Sequence, residues 1–306
     1  MSKRREELFA EGADAGSRLD LFLARRLVGV SRKVIKRALD GGCVFVDGRV
    51  QRRANVLLRG DERVLLTLAG ESPPLPKPEL IILHRDEGLL AIDKPAGLLS
   101  HPTVAGRINA LDLVRDELAA GQGSENPILL HRLDGDTTGV LIFALNAEAN
   151  RHLARQFAER RVEKSYLALV AGNPPDDFSV RNFLKAGVRG RTIAVTSGGQ
   201  IAETHFRTLS RSAEFALVEA RPKTGRTHQI RAHLAGLGHP LLGDELYGGP
   251  TSLALDGVCL RPRRHLLHAS RLGIFSPKSR DFITIHAPLP SDFLPFLTEL
   301  LQAHGV

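Results

Sequence analysis

The sequence predicts an α+β fold: a mainly antiparallel mixed sheet with a few helices, preceded by a small basic α/β module. Three observations carry this. Beyond residue 80, strand-like runs follow one another without intervening helices, which disfavours a doubly wound parallel sheet. Residues 71–79, ESPPLPKPE, are proline-rich and read as a short stiff linker. The chain's excess positive charge lies almost wholly before that linker. The expected organisation is therefore a basic domain over 16–70, a linker over 71–79 and a larger domain over 80–306.

The chain has 306 residues and a formal net charge of +8. The window 18–60 alone holds eleven Lys/Arg against three acids, so it accounts for the whole excess. Within it, Leu19, Phe22, Leu23 and Leu27 share one helical face. Ser31 suits the N-cap of a second helix that ends near Gly41. In that helix Val34, Ile35, Ala38 and Leu39 form the apolar side, while Arg32, Lys33, Lys36 and Arg37 form two adjacent basic stripes. Strands are expected at 43–46 and 63–68, with the turn pair Asp47-Gly48 between them. A basic helix face on a small sheet suits backbone phosphates. A solvated basic face without a ligand is the plainer alternative. There is no Trp and there are only two Tyr, so binding by charge and shape is expected rather than base stacking.

In the larger domain, strands are expected at 80–84, 88–93, 139–145, 164–170, 200–209, 214–220 and 281–286. Helices are expected at 147–160, 227–236 and 291–302, with Ile230, Leu234 and Leu237 as the buried stripe of the second. The most informative stretch is HRLDGDTTGVLIFAL at 131–145. Asp134 stands before a Gly-Asp-Thr-Thr-Gly turn that leads into an apolar strand. It is either a reaction centre or the cap of a turn accepting backbone N–H groups. Three further segments offer polar groups: LLAIDKPAGLLSHP at 89–102, VEKSYLALV at 162–170, whose Tyr166 is otherwise an ordinary core tyrosine, and RPKTGRTHQIRAHLAGLGHPLLGDELYGG at 221–249. His228 and His233 are five apart and fall on different helix faces, so no metal site is expected. No P-loop or dinucleotide fingerprint is present. No apolar run approaches a membrane span, the N-terminus lacks a signal-peptide core, and Cys43 and Cys259 make no disulfide framework. A reduced, cytoplasmic setting without membrane contact is expected.

HRLDGDTTG, KSYLALVAG, RPKTGRTHQIRAHLAGLGHPLLGD and DKPAGLLSHP occur in an order that resembles the RluA-type pseudouridine synthase family. The likeness runs from about residue 80 to the end and includes LHASRL at 267–272 and HAPLP at 286–290. Thr138 departs from it, since the family more often has Ser there. The basic module resembles a small RNA-binding domain first described in a ribosomal small-subunit protein. The resemblance implies isomerisation of uridine to pseudouridine in RNA, without cofactor or metal, by a pseudouridine synthase domain. It implies Asp134 as the catalytic carboxylate. The same reading assigns Tyr166 as general base or ring support, Arg226 as a bidentate partner of Asp134, and Arg132 to the space the target base vacates or to phosphate. Large-subunit ribosomal RNA is the expected substrate and a monomer the expected form. Transfer RNA is the alternative substrate, and a non-catalytic RNA-binding assembly factor the alternative function.

Overall fold

The computed structural model describes residues 3–27, 30–69, 78–102, 108–121, 125–255 and 258–302. It divides into two compact units, Met1–Lys77 and Pro78–Val306. Of the expected linker, residues 71–77 lie outside the described residues.

The first unit contains β1 (Lys3–Phe9), α1 (Leu19–Arg26), α2 (Arg32–Asp40), β2 (Val44–Val46), β3 (Arg49–Val50) and β4 (Arg63–Ala69). Its sheet has the order β1-β4-β2-β3 and every pair is antiparallel. β1 was not expected: its sequence KRREELF is mostly charged and shows little apolar alternation, yet it pairs along the full length of β4. Leu19, Phe22, Leu23 and Leu27 of the first helical face are buried, as are Ile35, Ala38 and Leu39 of α2. Val34, expected on the apolar side of α2, is exposed. Ser31 caps α2 by accepting from the Val34 N–H. Asp47 and Gly48 both have positive φ and close the β2–β3 hairpin, as a tight right-twisted turn requires. Arg32, Lys33, Lys36 and Arg37 are exposed on α2.

The second unit is built on an 11-stranded sheet. Its strands are β5 (Ile81–Arg85), β6 (Leu89–Lys94), β7 (Ile128–Leu129), β8 (Thr138–Ala144), β9 (Glu163–Ala171), β10 (Asp177–Ala186), β11 (Thr192–Val195), β12 (Gln200–Arg211), β13 (Phe215–Pro222), β16 (Leu267–Phe275) and β17 (Phe282–His286). A separate hairpin joins β14 (Leu253–Leu255) and β15 (Val258–Leu260). The main order is β11-β10-β12-β13-β9-β16-β8-β6-β5, with β17 on β16 and β7 on β8. One pair, β16 with β8, is parallel and the others are antiparallel.

β8 is buried along its whole length because helices cover both faces. On one face Leu141 and Phe143 meet α3 (Ala110–Ala120) through Leu113, Val114 and Leu118. On the other, Val140 and Ile142 meet α4 (Ala147–Ala158) through Ala149 and Leu153. That is why its sequence is continuously apolar rather than alternating. α5 (Gln229–Gly236) covers β9 and β13 through Ile230 and Leu234. α6 (Leu294–Gln302) packs Phe296 and Leu300 on Leu169 and Phe215. Leu237, expected in the buried stripe, lies beyond the end of α5 and is exposed. No helix among the described residues is long and apolar enough to cross a membrane.

The parallel contact fixes the position of the site. His268 and Ala269 of β16 pair with Thr138 and Gly139 at the start of β8. Gly139 has φ 109, and a Cβ there would stand 2.2 Å from the Ala269 carbonyl oxygen. Only glycine allows the two backbones to approach so closely.

Candidate active site

The segment 134–138 leads into β8 at this parallel contact, and side chains from 94–100 and 264–268 hold it and the preceding Leu133. Lys94, at the end of β6, is fully buried and donates to the carbonyls of Pro95, Leu98 and Gly135 at 2.8–2.9 Å. Burial pushes its pKa down to about 7. Ser100 donates to the Leu133 carbonyl at 2.8 Å and accepts from the Leu133 N–H at 2.9 Å. Arg264 donates to the Asp136 carbonyl and forms a two-bond pair with Asp292. Thr137 Oγ1 bonds His265 Nε2, and Thr138 Oγ1 bonds His268 Nδ1, each at 2.9 Å. Thr138 thus keeps a structural hydroxyl contact. Burial pushes both histidines down to about 4, so each is a neutral ring at neutral pH.

Asp134 itself is half-buried in a cleft. The turn is closed by its backbone carbonyl, which accepts from the Thr137 N–H at 3.1 Å. Among the described residues its carboxylate accepts no backbone N–H, so it is not a turn cap. Its Oδ2 instead accepts from Arg231 Nη1 at 3.1 Å, with His228 Nε2 at 3.8 Å. Oδ1 accepts no hydrogen bond among the described residues.

Arg231 is the residue that organises this charge. It lies on α5, is 6% exposed, and places two guanidinium nitrogens on Asp244 at 2.7 and 2.8 Å. Its third nitrogen reaches Asp134. Asp244 is itself buried and also accepts from the Tyr247 N–H. Arg231 lies over the Tyr247 ring, 5.0 Å from its centroid. Burial opposes the Arg231 charge, but the bonds to Asp244 and the two carboxylate charges outweigh it and raise its pKa.

The expected pairing of Arg226 with Asp134 is therefore corrected. Arg226 lines the cleft, but its Nε donates to the Ile201 carbonyl at 3.1 Å, and Gln229 Oε1 accepts from its backbone N–H. The chain passes 226 in a loop, makes a left-handed turn at His228 (φ 52) and begins α5 only at Gln229, not at Thr227. That turn aims position 231, rather than 226, at Asp134. A cationic side chain on a buried helix needs a counter-charge. The buried sequence pattern around Arg231, followed by Gly-Asp at 243–244, was the available signal.

Tyr166 stands on β9 and lines the same cleft. It packs between two apolar clusters, which fixes its ring as a flat wall. Burial, with the Asp134 charge adding to it, pushes its pKa well above the usual phenol value. Two residues earlier on the same strand face, Lys164 also lines the cleft. His228 Nδ1 bonds the Tyr247 hydroxyl at 3.2 Å, and burial lowers its pKa. His131 accepts from the Ile142 N–H and stacks on Phe157; burial pushes it down to about 3. It orients the strand entry as a neutral acceptor. His233, buried on α5, bonds Thr204 and Asn182. Arg132 is exposed at the cleft mouth. Arg32, Lys33, Lys36 and Arg37 belong to the first unit and are not part of this cleft.

Comparison with known proteins bears on the whole chain. Residues 88–236 match the model of the RNA pseudouridylate synthase family, and residues 17–64 match that of the S4 domain. Ribosomal large subunit pseudouridine synthase D of Nitrosomonas europaea is 38% identical, covering 94% of this chain and 85% of its own. Ribosomal large subunit pseudouridine synthase C of Vibrio cholerae is 34% identical, covering 94% and 95%. The solved structure of human RNA pseudouridylate synthase domain containing 4 superposes with a TM-score of 0.58 at 28% identity, covering 72% of this chain and 93% of that one. These likenesses extend over both units, so the chain belongs to the RNA pseudouridine synthase family, with an S4 domain ahead of its catalytic domain.

Proposed function

We propose that this pseudouridine synthase isomerises uridines of large-subunit ribosomal RNA, with Asp134 as the catalytic carboxylate. The observation that carries this is the division of labour on Asp134: one oxygen is held by Arg231 and the other is uncommitted, beside the flat wall of Tyr166. A carboxylate so placed can attack the sugar or the ring, or stabilise the charge that develops as the N-glycosidic bond breaks. The uracil then turns so that C5 faces the sugar and bonds C1′, and any bond Asp134 made to the sugar or the ring breaks to release the carboxylate. C5 gives up its proton, C5=C6 re-forms and N1 takes a proton, which leaves the sum of atoms unchanged. Tyr166, whose phenol proton is held tightly, supports the ring rather than removing the C5 proton. The target base must leave its stack to reach Asp134, and Arg132 at the mouth is placed to fill the gap or hold phosphate.

Two features favour ribosomal RNA. Relatives named as large-subunit synthases align with nearly the whole chain. The basic stripes Arg32/Lys36 and Lys33/Arg37 in the S4 domain supply sequence-independent contact to a large polyanion. The reading extends to a monomer that works in the cytoplasm and needs no cofactor. Tritium release from RNA labelled at uridine C5 tests the reading, with ribosomal and transfer RNA as parallel substrates. Wild-type protein releases tritium from the ribosomal RNA, and Asp134→Asn releases none while binding RNA within a few-fold of wild type. Turnover by Asp134→Asn near the wild-type rate refutes the role of Asp134; release from transfer RNA alone refutes the substrate.

A further inference from the structure

A second cleft adjoins the first and shares part of its wall, including Arg132, Lys164, Tyr166 and Arg226. Its floor is apolar and aromatic, with Phe157 and Val162, and its outer wall carries Arg160 and Lys223. Five of its thirteen lining side chains are cationic and none is acidic. Glu203, outside the lining, pairs with Lys223 at 2.7 Å and Arg181 at 3.7 Å and also feels the charge of Arg160. The cleft therefore keeps a net positive wall on the unit that carries Asp134.

Lys164 makes the case specific. Lys94, the other withdrawn lysine of this unit, is answered by three carbonyls. Lys164 has a single contact, to the Thr224 carbonyl at 3.5 Å, and no ion pair among the described residues. Burial pushes its pKa down to about 8. A half-buried cation with so little in return is unfavourable, and an arriving anion would offset that cost. Around it stand His131, Arg132, Tyr166 and Arg226, with Asp134 across the first cleft. The strand Glu163–Ala171 places Lys164 where the two clefts meet, so a polymer whose target nucleotide fills the first must continue past Lys164.

We propose that the second cleft binds a backbone phosphodiester of the RNA next to the target nucleotide, with Lys164 as its innermost contact and Arg160 and Lys223 on its outer wall. The proposal rests on the reading of Asp134 as the reaction centre, because that places the target nucleotide in the first cleft. Phosphate is favoured over a small neutral ligand because five of the lining residues are cationic and none is acidic. It is distinct from the exposed stripes on the S4 domain, which lie in the other unit.

Two measurements on the full chain test this with an RNA substrate. In the first, binding is measured against salt for wild type and for Arg160→Ser/Lys223→Ser. Both side chains are exposed, so the fold tolerates the change. The double variant is expected to bind roughly tenfold more weakly at physiological salt and to lose about two from the salt slope. In the second, proton uptake on RNA binding is measured by calorimetry at pH 8 in buffers of different ionisation enthalpy. Wild type is expected to take up about half a proton as phosphate drives Lys164 to its charged form, and Lys164→Met, which keeps the stem, to take up none. An unchanged salt slope in the double variant, or equal proton uptake by Lys164→Met, overturns the proposal. Loss of slope together with an active Asp134→Asn would instead leave the cleft standing and overturn the reading of the centre.

Discussion

Replacing Arg231 by lysine is expected to uncouple folding from rate. Arg231 makes three hydrogen bonds to carboxylate oxygens, two to Asp244 and one to Asp134, at 2.7, 2.8 and 3.1 Å. Removing its charge altogether, as in Arg231→Met, leaves the buried Asp244 unpaired and is expected to cost about 3–5 kcal/mol. Against a total stability of roughly 5–15 kcal/mol, that variant reports mostly on folding. Arg231→Lys keeps the charge but offers a point donor in place of a planar fork. The closer partner, Asp244, retains it, and Asp134 loses the bond that fixes Oδ2. A nucleophile free to shift by about an ångström loses roughly 100-fold in rate. Single-turnover rates at saturating RNA isolate that effect from binding, and urea unfolding checks that the protein is folded in the assay. Arg226→Lys is the control: its guanidinium is turned to the Ile201 carbonyl, so it is expected to stay within about threefold of wild type. If Arg231→Lys stays within threefold, or if Arg226→Lys falls as far, Arg231 is not what positions Asp134.

Two further outcomes follow from burial and charge. His131, His233, His265 and His268 are neutral in the fold, with values of about 3, 4, 4 and 4 against the ordinary 6.5. Below pH 6.5 the unfolded chain binds more protons than the folded one, so stability is full above 6.5 and falls as pH drops toward 4. Each of the three near 4 accounts for about 3 kcal/mol once pH is below its folded value. Urea midpoints at pH 7.5 and 5 should differ strongly, and a midpoint independent of pH across that window would show that these rings are not held neutral. A fragment comprising 78–306 should fold alone and bind RNA with a shallower salt dependence than the full chain, because it lacks the window that carries the +8 excess; equal slopes would remove the S4 stripes from RNA binding.

The structure brings Asp134 and Tyr166 to one cleft. The local sequence left Asp134 open between a reaction centre and a turn cap and read Tyr166 as a core residue; only the order of the family-like motifs joined the two. β8 was legible because its apolar run is local. Arg231 was not, because its role depends on the left-handed turn at His228, which rotates α5 and exchanges the loop arginine for the helical one. The helix at Ala110–Ala120 was not expected, although it carries an apolar stripe and an Asn109 cap. β1 was hidden by its charge, since an edge strand paired on one side needs little apolar pattern. The clamp around 134–138 was invisible for a different reason: Lys94, Arg264, His265 and His268 are distant in sequence and meet only in the fold.

That distance orders events in time. Thr137 and His265 are 128 residues apart, and Thr138 and His268 are 130 apart. Contacts of such separation form late, because the loop between them must close before they gain anything. During synthesis, the strand behind Asp134 leaves the ribosome long before its parallel neighbour exists. The S4 domain, made first, can already hold RNA while the carboxylate still lacks its frame. Nascent chains are thus expected to meet RNA before the frame around Asp134 closes, since that frame needs His265 and His268.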